Sequence, residues 1–359
     1  MVESMNYRIG VFMPTWVGDA VMATPTLRTL RASFPDTTLI GVMRPVINDL
    51  LAGTESVDEV IQFDKRRGTL SRFGMVSTLR RARLDCILLL TNSLWTAAVA
   101  RLAGVRRIVG YNRDARGWLL TDKVAVPNRL SSHKLQLTPT IDYYLRIGKH
   151  VGCMANDRRV QLAVTNSEFA LGDALWHKIG FCNDRATVVI NSNSATELSR
   201  LWPADKVKAL ALQLAQQRNT QVLLHCGPAE REIANQLSAE IDHPSVASMG
   251  VAEQLPIGLT KAVLSRADAV VSTDSGPRHI AVAFDRPVVS LFGPTSPAGT
   301  LTYNVPETML GTQFEYRPGN TKSSLLGGHS RMQDIEVSQV FNAVCEALSC
   351  PSRNARVAS

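Results

Sequence analysis

The sequence has no run of ~18 uncharged apolar residues, the length needed to cross a bilayer as a helix. Its opening, "MVESMNYRIGVFMPTWVGD", has no basic segment leading into an apolar stretch and does not read as a secretory leader. Its six cysteines, Cys86, Cys153, Cys182, Cys226, Cys345 and Cys350, are scattered with no CxxC pair. That spacing suits free thiols in a reducing compartment and argues against a zinc site or a disulfide framework. A cytoplasmic protein is expected, with no metal. The nucleotide fingerprints G-x-G-x-x-G after the first strand and G-x-x-x-x-G-K-[ST] are missing, as are H-E-x-x-H and G-x-S-x-G. These gaps set aside dinucleotide enzymes, P-loop NTPases, zinc proteases and serine hydrolases of the familiar kinds. Aromatics make up only 6% of the chain and do not interleave with the basic residues, so nucleic acid is not an expected partner.

What is present is a globular composition, 45% hydrophobic and 19% charged over 359 residues, enough for two domains. The net charge of +8 is unevenly spread. Residues 1–160 hold 23 Lys and Arg against 13 Asp and Glu, whereas residues 161–359 hold 16 against 18. The first half should attract something anionic, and charge alone leaves open nucleic acid, a membrane surface or an acidic substrate.

The chain reads as two successive runs of strand and helix. In the first, "YRIGVFMP", "TTLIGVMR", "VDEVIQF", "LDCILLLTN" and "RRIVGY" are strands. "DAVMATPTLRTLRASF", "MVSTLRRAR" and "LWTAAVARLAG" are helices between them. The second run begins with "ATVVINSN", continues through "PADKVKALALQLAQQR", "TQVLLHCG" and "PAEREIANQLSAEI", and reaches "AVLSRADAVVSTDSG" and "PVVSLFGP". Such alternation implies right-handed βαβ units and parallel sheets. The expected architecture is α/β: residues 1–163 and 164–333 as two Rossmann-like domains facing each other across a cleft, with a helix at 334–350 that could pack back across the boundary. Ligands in such sheets sit beyond the carboxyl ends of the strands, which singles out loops 14–19, 191–202, 226–232 and 273–279.

Each loop offers a structural and a chemical reading. In "WVGDA", Asp19 is an N-cap carboxylate or a base that takes a proton from a hydroxyl, with Gly18 allowing close approach. "NSNSATELSRLWP" supplies hydroxyl and amide groups, Ser194 and Thr196 among them. Its Arg200 is a surface residue or a cation for a departing diphosphate. In "HCGPAERE", Glu230 or Glu232 binds ribose hydroxyls or simply opens a helix. "TDSGPRHIA" places a helix start at Asp274 and Ser275, which is either plain capping or an anion site made of the amides of Ser275, Gly276 and Arg278. His279, one turn in, donates to a phosphate or fills a gap.

Taken together, "PTWVGDAVMATPTLRTLR", "LWPADKVKALALQL", "LLHCGPAERE", "VVSTDSGPRHIAVAFDRPVVSLFGPTSP" and "HSRMQDIEVSQVFNAV" resemble glycosyltransferase family 9 over nearly the whole chain, in matching order. The resemblance implies a GT-B fold and an inverting, metal-independent transferase. Its expected reaction moves heptose from ADP-heptose to an anionic lipopolysaccharide inner core, with the acceptor on the first domain and the donor on the second. It implies Asp19 as general base, Arg200 on the donor phosphates in place of the family's usual lysine, and Ser275 and Gly276 as diphosphate-binding amides. Asp274 and His279 fall at flanking donor positions. Charge and loop placement add Arg66, Arg67, Arg113 and Arg116 as candidates for acceptor carboxylates and phosphates, and a peripheral contact with the inner membrane. Two departures stand out: "NSNSA" where the family often has N-P-G-A, and Arg278 where an apolar residue is usual. They keep open another nucleotide sugar, or a binding relative that has lost catalysis.

Overall fold

The computed structural model describes residues 7–63, 68–127, 138–154, 157–192, 198–293, 296–303, 305–311 and 332–349, with 68–73 and 198 by backbone alone. Ser194, Thr196, Arg66 and Arg67 lie outside the described side chains. The chain divides between Leu162 and Ala163 into two compact units.

The first unit contains β1 (Arg8–Phe12), α1 (Val17–Ser33), β2 (Thr38–Met43), α2 (Pro45–Leu51), β3 (Glu59–Gln62) and α3 (Gly68–Ala82). It continues with β4 (Cys86–Leu89), α4 (Leu94–Leu102), β5 (Arg107–Tyr111), β6 (Asp122–Val124) and α5 (Thr140–His150). Its sheet runs β3-β2-β1-β4-β5-β6, and every pairing is parallel. The central strands are short runs rich in Val, Ile and Leu, because helices cover both faces and no position is left for a polar alternation. Phe12, Ile40, Ile87, Leu89 and Ile108 meet Ala97 and Ala100 of α4 in one core.

The second unit contains α6 (Asn166–Ile179), β7 (Thr187–Asn191), α7 (Ala204–Arg218), β8 (Gln221–Leu224), α8 (Arg231–Ile241) and β9 (Val246–Ser248). After these come α9 (Ile257–Arg266), β10 (Ala269–Thr273), α10 (Gly276–Ala283), β11 (Val288–Phe292), β12 (Glu307–Gly311) and α11 (Val337–Ser349). The parallel sheet is ordered β12-β11-β10-β7-β8-β9. Counted from its own first strand, β7, that is the same doubly wound order as in the first unit. Helix α6 begins with a capping box, Thr165 with Glu168, and stops at Gly180 in the left-handed region (φ 71°). Glu168 also pairs at 2.9 Å with Lys261, which has no exposed side-chain surface, tying α6 to α9.

Several elements go beyond the expected alternation: α2, β6, α5, α6, β9, α9 and β12. Strands of three residues at a sheet edge, such as β6 and β9, are too short to show a period of two. The closing helix α11 buries Val340 and Val344 in the second unit's core beside Trp202 and Leu210. It packs on the sheet of its own unit. No described helix is long and apolar enough to cross a membrane.

Candidate active site

In a doubly wound sheet the crevice opens where the strand order reverses, between the first and fourth strands. In the first unit that point lies beyond β1 and β4. Strand β1 runs out through buried Met13 and Pro14, the chain turns at Thr15 and Trp16, and α1 starts. Arg44, just past β2, donates from Nη1 to the Thr15 carbonyl at 3.3 Å and steadies the turn. The N-cap is Trp16, without a side-chain cap bond, so Asp19 is not the N-cap residue. Asp19 is the third helical residue, beside Gly18, where negative charge suits the helix dipole. Its side chain is hydrogen-bonded to Tyr144 of α5, which packs along α1. Burial, and then the neighbouring Asp19 charge, push the Tyr144 phenol well above its ordinary range, so it remains a donor. The Trp16 ring, three residues before Asp19, is 62% exposed.

Beyond β4 and β5 the structure corrects one expectation. Arg116 has no exposed surface and is held by its own unit. Nε donates to the Tyr111 carbonyl at 3.1 Å, Nη1 to the Thr91 carbonyl, and Nη2 to Asn92 Oδ1 at 3.0 Å. Tyr143 donates to the same Asn92 oxygen at 3.1 Å and stacks on Tyr111 with ring centres 3.8 Å apart. Arg116 is thus a strut inside the loop, and no acceptor group can reach it as it stands. Arg113 is exposed. It pairs with Asp114 at 3.2 Å and hydrogen-bonds Tyr143.

In the second unit the reversal lies between β7 and β10. Asn191 closes β7 and donates from Nδ2 to Ser272 Oγ at 3.0 Å and Ser275 Oγ at 2.9 Å. Its Oδ1 is therefore the acceptor for His225 Nδ1 at 3.0 Å, which puts the imidazole proton on Nδ1. Nε2 is left to accept from Thr260 Oγ at 3.1 Å. Burial pushes the His225 pKa down to about 4, so this neutral tautomer persists at ordinary pH.

The network ends at Ser275, the N-cap of α10. Its side chain makes no cap bond, donating instead to the Thr273 carbonyl at 3.2 Å. Capping by Asp274 or Ser275, one expectation from the sequence, is thus not observed. Among the described residues no side chain is found capping the amides at the start of α10, and Pro277 has no amide to satisfy. Arg200, at the end of a 3₁₀ turn, donates from Nη1 to the Asp274 carbonyl at 3.0 Å, placing a guanidinium at that helix start. Trp202, buried with Nε1 on the Ile335 carbonyl at 3.2 Å, anchors the segment carrying Arg200. Asp274 accepts at Oδ1 from Thr300 Oγ at 3.1 Å and from Arg278 Nη1 at 3.4 Å. His279 is buried, and desolvation, reinforced by Arg278, holds its pKa well below the usual range, so it offers a neutral ring. Glu230 is half-buried and uses Oε2 to accept from the Gly227 amide at 2.8 Å.

The structure therefore gathers Arg200, Asp274, Ser275, Gly276 and His279 at one strand-to-helix junction. Asp19 and Gly18 stand in the other unit at the junction after its first strand, on the other side of the same kind of strand-order reversal. Tyr144, Asn191, His225 and Thr260 are participants that sequence reasoning missed, although Asn191 opens the "NSNSA" loop and His225 the "HCGP" loop, both already singled out. Among the described residues no group of three or more His, Cys, Asp and Glu is arranged to hold a metal.

Comparison with known proteins places this geometry. The family model described as glycosyltransferase family 9 (heptosyltransferase) matches residues 72–329. Lipopolysaccharide heptosyltransferase 2 of Salmonella typhimurium is 26% identical over 357 residues, covering 95% of this chain and 99% of that protein. The solved structure of E. coli ADP-heptose LPS heptosyltransferase II superposes with a TM-score of 0.77 at 22% identity, covering 95% of this chain and 98% of that one. E. coli heptosyltransferase WaaC with ADP-2-deoxy-2-fluoro heptose gives a TM-score of 0.70 at 17% identity, over 94% and 99% of the two chains. At these identities the structural likeness establishes the fold, GT-B, while the family model covers more than half the sequence. The chain belongs to glycosyltransferase family 9 and is a glycosyltransferase.

Proposed function

We propose that the enzyme moves a heptose from ADP-heptose to an anionic lipopolysaccharide inner-core acceptor, with inversion and without a metal cofactor. The relatives carry names of that activity, and the observation that supports the donor side is the uncapped start of α10 with Arg200 against it. Amides of Ser275 and Gly276 and the Arg200 guanidinium receive the diphosphate, as helix starts and arginines do for phosphates generally. They stabilise the negative charge that grows as the anomeric C–O bond breaks and its electron pair leaves with ADP. Asp274 holds a donor hydroxyl, and neutral His279 supplies one N–H to the same region. Ser194, Thr196 and Glu230 complete the donor contacts.

Asp19 takes the proton of the acceptor hydroxyl, whose oxygen attacks the anomeric carbon from the face opposite ADP. The basic first half suits an acceptor bearing carboxylates and phosphates, with Arg113 exposed to meet it and Arg66 and Arg67 assigned the same task by charge. Peripheral contact with an anionic membrane surface follows from the same charge. A second reading, transfer from another nucleotide sugar, is favoured by one observation: the Arg278 guanidinium beside Asp274.

Calorimetric titration with ADP-, GDP- and UDP-sugars, followed by turnover of the bound donor on a core oligosaccharide, tests both. ADP-heptose should bind best, and chelator should leave turnover unchanged. Asp19→Asn should lower kcat by about 10²–10⁴ with donor affinity intact. A variant within a few-fold of wild type would remove Asp19 as the base.

A further inference from the structure

Arg278 has no exposed surface and sits third in α10, where the helix dipole disfavours a cation. Its position needs a local cause, and its contacts supply one. Nε donates to Glu307 at 2.7 Å and Ser290 Oγ at 3.0 Å. Nη1 donates to the Thr300 carbonyl at 2.9 Å and faces Asp274 Oδ1 at 3.4 Å. The guanidinium lies over the Phe292 ring, 5.0 Å from its centre. Behind it Glu307, buried at the start of β12, also accepts from Ser290 and Thr302. Thr300 meets Asp274 twice over, by its hydroxyl directly and by its carbonyl through Arg278.

We propose that Arg278 is a donor-positioning residue: braced by Glu307, it fixes Asp274 Oδ1 so that Oδ2 is presented to the nucleotide sugar. Both side-chain contacts of Asp274 fall on Oδ1, leaving Oδ2 without one among the described residues. Arg278 also holds the Thr300 carbonyl, and the Asp274 carbonyl anchors Arg200, so the brace reaches the cation at the same helix start. An ion cluster kept for stability alone gains little over apolar packing of similar volume. This one instead touches the candidate site, where Arg278 and Thr300 meet on the same oxygen of Asp274. The inference rests on the donor reading of Asp274 given above.

The experiment measures affinity by calorimetry for the nucleotide sugar that binds wild type best, well below every melting temperature. Arg278→Lys keeps the charge and loses the fork. Arg278→Met with Glu307→Gln keeps the cluster at its native net charge of one carboxylate in excess. Both folded variants should bind at least tenfold more weakly, while Glu307→Gln alone, with Arg278 still on Asp274, should lose less than threefold. A double variant that melts near wild type and still binds weakly separates positioning from packing. Binding by either folded variant within twofold of wild type overturns the proposal and leaves the functional reading standing. A wild type that binds no nucleotide sugar overturns both.

Discussion

The two sheets share one strand order, yet their reversal points are furnished in opposite ways. The first unit presents a carboxylate, Asp19, beside an exposed indole and arginines. The second presents a helix start and Arg200 above a floor of neutral, fully bonded polar groups. Asn191, His225, Thr260 and Ser275 form a chain in which every donor has a named acceptor. Parallel architecture fixes where a site can form, and the side chains at the strand ends fix what it can do. The proposed proton acceptor lies on one unit and the proposed anion cradle on the other.

The sharpest way to break the comparison lies within the first unit, where two neighbouring arginines play different parts. Arg116→Met removes three charge-assisted hydrogen bonds, leaving the Tyr111 carbonyl to the Arg113 amide, the Asn92 amide oxygen to Tyr143 and the Thr91 carbonyl without its guanidinium donor, and should cost about 3 kcal/mol of stability in denaturant unfolding. Arg113→Ala should leave the midpoint nearly unchanged and raise KM for the anionic acceptor a few-fold, less so at high salt. Equal stability losses in both would erase the distinction.

The next effect concerns the neutral floor of the second unit. The folded pKa of His225 is about 4, below the ordinary imidazole value, so the unfolded chain binds more protons between the two. Stability should therefore be full near neutrality and fall as pH drops from about 6.5 to 4, by a total on the order of 3 kcal/mol from this residue. His279 acts in the same direction. His225→Gln should flatten that slope in a pH series of unfolding curves. An unchanged slope would mean the imidazole is not held neutral.

The smallest effect refines Asp19. Tyr144→Phe removes one hydrogen bond to its carboxylate and should lower kcat about tenfold, equivalent to ~1.4 kcal/mol, with donor affinity unchanged. In an Asp19→Asn background the same change should add little, because coupled residues are not additive. A full tenfold loss in both backgrounds would place Tyr144 outside the action of Asp19.

The legible part of the molecule was whatever repeats locally. Runs such as "RIGVF" and "TVVIN" announce buried strands, and "TDSGPRHIA" announces a helix start, so the junctions bearing Asp19, Arg200 and Asp274 could be located from the chain alone. Partners distant in sequence were not legible. Tyr144 reaches Asp19 from a helix 125 residues later in numbering, and Asn191 bonds serines 81 and 84 residues away. Arginine also reads the same in sequence whether it is solvated or buried. Arg113 and Arg116 look alike in "YNRDARGW", and only the surrounding carbonyls make one of them a strut.

By itself, then, the sequence determined the doubly wound pattern, the strand-to-helix junctions, and the charge contrast between the halves. These depend on local periodicity and composition. The tertiary structure alone decided that Ser275 leaves its helix uncapped, that His225 and His279 are neutral, and that Arg278 is a buried brace. Each of those depends on desolvation and on groups brought together by crossover connections, which no local pattern encodes.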